Sequence, residues 1–344
     1  MHIKILKKTS VFAGLLYASI MLPGCSLITE DLDPCPEELR LKFKYAYLKE
    51  TDAFGYEVNS INVWAFDQQG LPVWSGSASG PQLKEEDFYI QTTLGEGIYD
   101  FVAWCGLDGN ESFDLATYTP TSKTDLEVKM RTIEEDNKHI SKTRLQGLYH
   151  GTLENVEYKA DPLNSNIKEV TVTLMKDTKD IRIMLQHLDG TEIDNRDFSV
   201  TITDANSEYA WNNALLPSPI VTYEPWNTKY GVVTAPETQE VETRDITTIA
   251  SLLFEVSTGR LMEDSDAILT VHRNWDNRDI IRIPLVDYLL LIRGYYGNIP
   301  DQEYLDLQDD YSMVFFIDSA SNWYIAAGIY INGWAVVPPQ GNIL

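Results

Sequence analysis

Short segments in which apolar and polar residues alternate are the feature that most constrains the fold. Apolar side chains recur at every second position of Leu41–Tyr47, and similar aromatic or β-branched runs follow at Ile61–Phe66 and Ile98–Trp104. Successive side chains of a strand point to opposite faces, so this period of two is typical of strands with one buried face. Turn residues such as Asp67–Gly70 separate the runs, as in a β-sandwich. We therefore predict an all-β protein.

The same pattern predicts further strands along the chain. They lie at Phe88–Gln91, Leu145–Leu153, Val170–Met175, Asp180–His187, Phe198–Thr203, Ser251–Val256, Ala267–His272, Ile280–Ile283, Met313–Ile317 and Ala326–Val337. Two polar or proline-containing stretches, Asp108–Asp136 and Leu215–Glu242, are predicted to be loops and irregular structure. Apolar residues at helical spacing predict short helices at Pro284–Ile292 and Gln302–Leu307.

Two β-sandwich domains in tandem account for the length better than one. A chain of 344 residues is long for a single domain and comfortable for two. Charged and turn residues at Lys176–Lys179 separate two predicted strands, and we place the linker there. The predicted domains are therefore residues 37–176 and residues 177–344, and the short helices are insertions in the second.

The N-terminus has the three parts of a secretory signal peptide. Three lysines precede the apolar stretch Val11–Met21, which is too short to span a bilayer that needs about 20 apolar residues. Leu22–Cys25 resembles the lipobox of bacterial lipoproteins, in which the cysteine receives diacylglycerol and the chain is cut before it. The alternative is an ordinary signal peptide with a chance cysteine. We predict a signal peptide over residues 1–24, a lipid on Cys25 and a tether over residues 25–36.

Acidic residues dominate the tether and the chain as a whole. Glu30, Asp31 and Asp33 follow the cysteine, and this cluster resembles a surface-export signal of bacterial lipoproteins. A plain solvated linker is the alternative. The formal net charge of −25 repels phosphate groups and argues against a nucleic-acid partner. We predict a lipoprotein of the outer membrane that faces the cell exterior.

Two cysteines remain once Cys25 carries a lipid. Cys35 and Cys105 could form a disulfide outside the cytoplasm. The closed loop of about 70 residues would stabilise the fold by about 4 kcal/mol in the chain-entropy description. Two buried thiols are the alternative, and the sequence does not choose between them.

No arrangement of residues in the sequence points to catalysis, a metal or a cofactor. The histidines lack metal-ligand spacing, and neither a Gly-x-Ser-x-Gly elbow nor a glycine-rich phosphate loop occurs. Acidic clusters at Glu134–Asp136, Glu263–Asp266 and Asp309–Asp310 are interpreted as solvated loops in so acidic a chain. Calcium binding, or a carboxylate pair for glycoside hydrolysis, is the alternative. We predict that the protein is not an enzyme.

The tryptophans fall into two groups by their setting in the sequence. Trp64 and Trp104 lie within alternating strands, and we expect them to pack in the core. Trp211 and Trp226 lie in the proline-containing stretch. They are our candidates for an exposed contact, for example with the face of a sugar ring, because an indole offers a large apolar surface with one polar group.

Six strings of residues, in order along the chain, resemble the FimB-type fimbrial anchor lipoproteins of gut and oral anaerobes. These lipoproteins are the membrane-proximal components of type V pili. The strings are Asp33–Pro36, Val58–Asp67, Tyr99–Gly106, Ile281–Leu290, Asp309–Phe316 and Ile331–Trp334. The resemblance covers nearly the whole mature chain.

The resemblance implies that both β-sandwich domains are transthyretin-like, and that one end is held in the outer membrane by the lipid. The other end would bind a pilus subunit, either of the stalk or an accessory one. Fimbrillins of this kind polymerise by donor-strand exchange, in which a strand of one subunit completes the sheet of the next. Gly328–Val337 could donate such a strand or be the last strand of the second domain, and we favour the last strand. Cleavage after Arg40 would sever the lipid, so Arg40 is not proposed as a processing site.

Two functions of different kinds follow from these patterns. The first is a structural one, in which the protein anchors a surface fimbria and limits its length. The second is a surface lipoprotein that binds glycans for a polysaccharide-uptake system, with Trp211 and Trp226 as contacts. A hydrolase is disfavoured, because no catalytic arrangement emerges from the sequence.

Overall fold

The computed structural model describes residues 38–159, 167–187, 191–234 and 248–336. Its regular secondary structure consists mostly of strands, with a few short helices, which confirms the prediction of an all-β protein. Cys25, Cys35 and the tether lie outside the described residues. The 3-10 helices are short and lie at Pro81–Lys84, Lys123–Asp125, Asn195–Asp197, Arg293–Tyr296 and Ile325–Ala327.

The first half of the chain contains one short helix and the strands β1 to β11. They are β1 (Glu38–Tyr45), α1 (Phe54–Glu57), β2 (Ser60–Phe66), β3 (Pro72–Ser79), β4 (Ile90–Gln91), β5 (Gly97–Cys105), β6 (Phe113–Leu115), β7 (Val128–Met130), β8 (Ile133–Glu135), β9 (Lys138–Ser141), β10 (Tyr149–Tyr158) and β11 (Ile167–Lys176). Within the described residues, seven of these strands form one sheet in the order β3-β2-β5-β10-β11-β1-β4.

This sheet divides into two layers at β11. β11 pairs in parallel with β1 over Ile167–Leu174, but it pairs with β10 only through Met175–Lys176. The two layers meet in one core, to which β1 contributes Leu41, β2 contributes Val63 and β5 contributes Ala103. The alternation that predicted these strands therefore arises because one face of each packs against the opposite layer.

The second half of the chain contains two short helices and the strands β12 to β22. They are β12 (Lys179–His187), β13 (Phe198–Asp204), β14 (Glu208–Tyr209), β15 (Val221–Tyr223), β16 (Asn227–Thr234), β17 (Thr248–Thr258), β18 (Ile268–Arg273), β19 (Arg278–Pro284), α2 (Leu285–Leu290), α3 (Asp301–Leu307), β20 (Asp310–Ile317), β21 (Ile329–Ile331) and β22 (Trp334–Val336). Two sheets have the orders β16-β17-β12-β20-β21-β22 and β19-β18-β13-β15-β9-β8.

The two sheets of the second half share one apolar core. Ile183 of β12 and Phe315 of β20 come from the first sheet, and Ile202 of β13 and Val271 of β18 come from the second. The helices α2 and α3 confirm the two predicted helices. α2 buries Leu285, Val286, Tyr288 and Leu289, whose spacing places them on the side of the helix that faces this core.

Strands from the first half cross into the second. β9 pairs in parallel with β15, while β7 pairs with both β6 and β14 in a small three-stranded sheet. Val128 and Met130 of β7 belong to the core of the second half. The predicted boundary between residues 176 and 177 therefore does not separate the sheets, because strands from both sides of it share a sheet. The two-domain division remains a prediction.

Three predictions of local structure were wrong within the described residues. Asp108–Asp136 is not a continuous loop, because it contains β6, β7 and β8, and Leu215–Glu242 contains β15 and β16. Ala326–Val337 is not one strand, because it turns back between β21 and β22. Asn332 and Gly333 form that turn with φ of 48° and 84°, the left-handed conformation that an Asn-Gly hairpin turn uses.

Candidate functional site

The predicted core residues and the predicted cysteine pair have different outcomes. Trp64 and Trp104 are buried, as expected. Cys105 is also fully buried, at the end of β5, and burial raises the pKa of its thiol well above the usual range. Cys25 and Cys35 lie outside the described residues, so the lipid and the disulfide remain predictions.

Neither of the two candidate contact tryptophans is a freely exposed ring. Trp211 is half-buried against the core of the second half, and the Lys123 ammonium lies 4.2 Å from the centre of its ring. Trp226 is half-buried as well, with the Arg144 guanidinium 5.4 Å from its ring centre. A cation therefore covers part of each indole. A contact role for either ring remains a prediction.

The sheet that contains β12 ends at the C-terminal hairpin. β20 pairs with β21, and β21 pairs with β22, which is the last strand in the order. In the part of the chain that the structure describes, no strand pairs with the outer side of β22. Among the described residues β22 is therefore an edge strand, and the outward backbone N–H and C=O groups of an edge strand can pair with a strand of another chain.

Exposed aromatic side chains surround this hairpin. Tyr295 is 53% exposed and Trp334 is 42% exposed, and their rings stack with centroids 3.9 Å apart and planes within 8°. Tyr330 is exposed on β21, where its ring lies edge-on to Phe316, and Tyr324 is exposed nearby along the chain. We call β21, β22 and these exposed aromatic residues the C-terminal edge. Exposed aromatic rings at such a position are typical anchors of protein interfaces.

A buried ionic network joins the first half to the second. Lys179, at the start of β12, is 0% exposed, and its Nζ donates to the Asp306 carbonyl oxygen at 3.0 Å and lies 3.6 Å from the Asp309 carboxylate. Tyr45, at the end of β1, donates its hydroxyl to the same carboxylate. Burial raises the pKa of Asp309 and lowers the pKa of Lys179. The interpretation of Asp309 as a solvated loop residue is therefore wrong, whereas Asp310 is exposed.

The network continues through Arg260. Its guanidinium holds the Asp306 carboxylate by two hydrogen bonds of 2.8 Å and donates to the Asn213 carbonyl oxygen at 2.5 Å. The Asn213 amide donates to the Asp177 carboxylate at 2.7 Å. Burial raises the pKa of Asp177, although Arg260 opposes this shift. Removing one member of a buried ion pair is strongly destabilising, so these pairs stabilise the second half, and the hydrogen bond from Tyr45 to Asp309 connects β1 of the first half to them.

A buried histidine forms a second contact between the halves. The Nε2 atom of His150, on β10, lies 2.8 Å from the Trp211 carbonyl oxygen. The imidazole also packs on the indole of Trp104, with ring centroids 4.5 Å apart. Burial lowers the pKa of His150 to about 4. The histidine is therefore neutral at neutral pH and serves as a hydrogen-bonded spacer between the two halves.

The described residues hold no group of three or more His, Cys, Asp or Glu side chains that could bind a metal ion. None of the helices in the described ranges has the length and apolar character needed to cross a membrane.

Comparisons with known proteins assign the chain a consistent set of relatives. The sequence matches the family described as fimbrillin-A associated anchor proteins Mfa1 and Mfa2 over residues 32–337. It is 23% identical over 327 residues to the minor fimbrium anchoring subunit Mfa2 of Porphyromonas gingivalis, which covers 92% of this chain and 90% of that protein.

Solved structures share the fold along most of the chain. A candidate adhesin from Bacteroides thetaiotaomicron is 32% identical, with a TM-score of 0.75 over 90% of this chain and all of that one. A candidate polysaccharide-binding protein from the same organism is 26% identical, with a TM-score of 0.72 over 89% of this chain and all of that one. The fimbrial anchor protein Mfa2 of P. gingivalis has a TM-score of 0.63 over 88% of this chain and 99% of that one. At 16% identity, it shows the shared fold alone.

Proposed function

Because the chain belongs to the family of fimbrillin-A associated anchor proteins Mfa1 and Mfa2, we propose that it anchors a surface fimbria in the bacterial envelope. The match over residues 32–337 is the observation that carries this proposal. The lipid on Cys25 is the proposed attachment to the outer membrane, on the side that faces the cell exterior. The role is structural and requires no catalytic group.

The proposed partner contact is the C-terminal edge. A strand of a pilus subunit would add to β22, where backbone hydrogen bonds supply affinity and alternating side chains set the register. The stacked pair of Tyr295 and Trp334 would be the aromatic anchor of this contact. Occupation of the edge by one subunit would end the fimbria at the membrane side, and this is how the anchor would limit fimbrial length.

The buried network suits such an anchor mechanically. β1 begins at Glu38, shortly after the predicted tether in the sequence, and ends at Tyr45, which is hydrogen-bonded to Asp309 beside β20. Tension between the lipid and the C-terminal edge would therefore pass from β1 through the buried network into the sheet that holds β20, β21 and β22. A rigid joint transmits this tension without separating the halves.

The anchoring role is tested by deleting the gene and complementing the strain with variants. Electron microscopy would record the fraction of fimbriae on cells and their length. In the deletion strain we expect fimbriae that are detached from the cells and abnormal in length. The wild-type chain should restore attachment and length, and Trp334→Ala should restore them poorly. Trp275→Ala is the matched control, because Trp275 is also exposed but lies outside the C-terminal edge. Normal attachment and length in the deletion strain would rule out the proposal.

Glycan binding is the second candidate function. The observation that favours it is the structural similarity to a candidate polysaccharide-binding protein at 26% identity. Calorimetry against a panel of glycans would test it with the wild-type chain, Trp211→Ala and Trp226→Ala. Binding that is lost in either variant would support a glycan-binding protein. If no glycan binds, anchoring remains the supported function.

A further inference from the structure

A cavity of about 500 Å³ in the second half has no role in the anchoring proposal. Three carboxylates line it, from Asp204 at the end of β13 and from Asp264 and Asp266 in the loop before β18. None of the described residues in its lining is basic, and none of these three carboxylates forms an ion pair with a described residue. The cavity therefore concentrates negative charge that no described side chain neutralises.

The hydrogen bonds of Asp204 are distributed unequally between its two oxygens. Oδ1 accepts the Ser265 hydroxyl at 2.7 Å and the Ala205 backbone N–H at 2.8 Å. Oδ2 is buried and has no hydrogen-bond partner among the described residues. The residue is only 8% exposed, and burial raises its pKa, with a further contribution from the charge of Asp266. A buried acceptor without a donor destabilises the fold, so a positively charged group that enters the cavity would offset the cost of burying this carboxylate.

Apolar residues make up most of the remaining wall, which also contains the polar residues Thr203 and Ser265. Leu215 and Met262 are half-buried in the wall, and Ile220 is 65% exposed. A bare metal ion would gain nothing from contact with this apolar surface, but the methylene stem of a long basic side chain packs well on it. A guanidinium group at the end of such a stem offers five N–H donors in a planar arrangement that matches carboxylates.

We propose that this cavity binds an arginine side chain presented by a partner polypeptide. The guanidinium donates to Asp204 and lies between the exposed carboxylates of Asp264 and Asp266, while its stem covers Leu215 and Met262. The exposed side chain of Ile220 packs against the backbone of the partner beside the arginine, as apolar contacts do around an interface anchor. The net charge of −25 attracts a basic partner over longer distances. The site stands independently of the anchoring role.

Ligand-observed NMR on the full mature chain tests the proposal. The probes are N-acetyl-arginine amide and N-acetyl-citrulline amide, which has nearly the same shape but no charge. We expect the citrulline probe to bind about tenfold more weakly or worse, because a charge-assisted hydrogen bond is lost. Asp204→Asn should weaken the arginine probe by a similar factor. Asp87→Asn removes an exposed carboxylate elsewhere on the surface and should leave binding unchanged.

Thermal unfolding separates a binding role of Asp204 from a structural one. In Asp204→Asn the amide oxygen can still accept from Ser265 and Ala205, and no partner of Oδ2 is lost. We therefore expect an unfolding temperature equal to or above that of the wild-type chain. Asp264→Asn and Asp266→Asn change exposed residues and should each weaken the arginine probe without altering the unfolding temperature.

Several results would overturn the assignment. Equal binding of the two probes would show that the charge is not recognised. Wild-type binding in all three Asp→Asn variants would show that the probe binds elsewhere. Calcium chloride that binds with Asp204 dependence, while the arginine probe does not bind, would make the cavity a metal site. A lowered unfolding temperature for Asp204→Asn, with unchanged binding in Asp264→Asn and Asp266→Asn, would assign Asp204 a purely structural role.

Discussion

The two halves of the chain arrange their first strands in the same way but end their sheets differently. β1 pairs in parallel with β11 and antiparallel with β4, while β12 pairs in parallel with β20 and antiparallel with β17. In the first half, β11 is the final strand. In the second half, β20 is followed by the hairpin β21–β22, which extends the sheet and carries Tyr330 and Trp334. The same core plan therefore ends in an edge strand with exposed aromatic residues only where the extra hairpin is present.

The halves also differ in how complete they are. The seven-stranded sheet of the first half uses only strands from the first half, whereas the second half borrows β7, β8 and β9. The hydroxyl of Tyr45, in the first half, then links to the buried pair of Lys179 and Asp309 in the second half. The second half therefore depends on the first for its structure, and this dependence makes the following predictions possible.

Of the variants considered, Asp309→Ala should lower the free energy of unfolding the most. In Asp309→Ala the buried Lys179 ammonium loses its nearest carboxylate and Tyr45 loses its acceptor. We expect the free energy of unfolding in urea to fall by about 3 to 5 kcal/mol. Asp310→Ala is the matched control, because the Asp310 pair with Arg182 is exposed and contributes at most about 1 kcal/mol. Equal losses in the two variants would contradict a buried joint.

The His150 contact between the two halves should make the stability of the fold sensitive to acid. The pKa of His150 is about 4 in the folded chain and about 6.5 when unfolded, so the unfolded state binds a proton first. Its stabilising effect is complete above pH 6.5 and is lost as the pH falls towards 4. Relative to His150→Gln, the wild-type chain should lose about 3 kcal/mol over this interval. Chemical unfolding at a series of pH values measures it, and parallel pH profiles would refute the assignment.

Tyr45→Phe should have a smaller effect, because it removes one hydrogen bond without removing a charge. Asp309 would lose the hydroxyl of Tyr45 while keeping its contact with Lys179. We expect a loss of about 1 to 3 kcal/mol, since the buried acceptor is left without this donor. Tyr47→Phe serves as the control, because Tyr47 is only half-buried. A loss for Tyr45→Phe no greater than that of the control would show that the hydroxyl does not hold the halves together.

Trp334→Ala should have the smallest effect on folding and so isolates the edge from the joint. The stacked pair with Tyr295 is exposed, and such a pair contributes about 0.5 to 1.5 kcal/mol beyond the area it buries. We expect a small shift in unfolding temperature and an intact far-ultraviolet circular dichroism spectrum. Extensive unfolding of this variant would mean that the aromatic pair belongs to the core.

Local patterns predicted most of the fold because they record burial directly. Leu39, Leu41 and Phe43 alternate along β1 since one face meets a core, and the buried positions of α2 show helical spacing for the same reason. The strands β6 to β9 escaped prediction because each is only three or four residues long, too short to show an alternating pattern. β6 pairs with β7 and β8 pairs with β9, and the strands β14 and β15 of the second half extend these pairs into sheets.

The buried network and the C-terminal edge contain contacts that local sequence patterns do not predict. Lys179 was assigned to a charged linker, because a lysine beside aspartates is normally solvated, and its burial depends on Asp306 and Asp309 far along the chain. The hairpin was different, since Asn332–Gly333 is a strong local turn signal that could have divided the last predicted strand. The stack of Trp334 on Tyr295 has no local signal at all.

Replacing Cys25, the cysteine predicted to carry the lipid, tests anchoring most directly. In a Cys25→Ser strain, the fimbriae and the anchor protein should leave the cells together, and both should be recovered from the medium in the same particles. Immunoblots of cell and medium fractions, with electron microscopy of the medium, measure this release. Fimbriae that stay on the cells while the Cys25→Ser protein is released would contradict the proposed anchor, because the lipid would then not hold the fimbria.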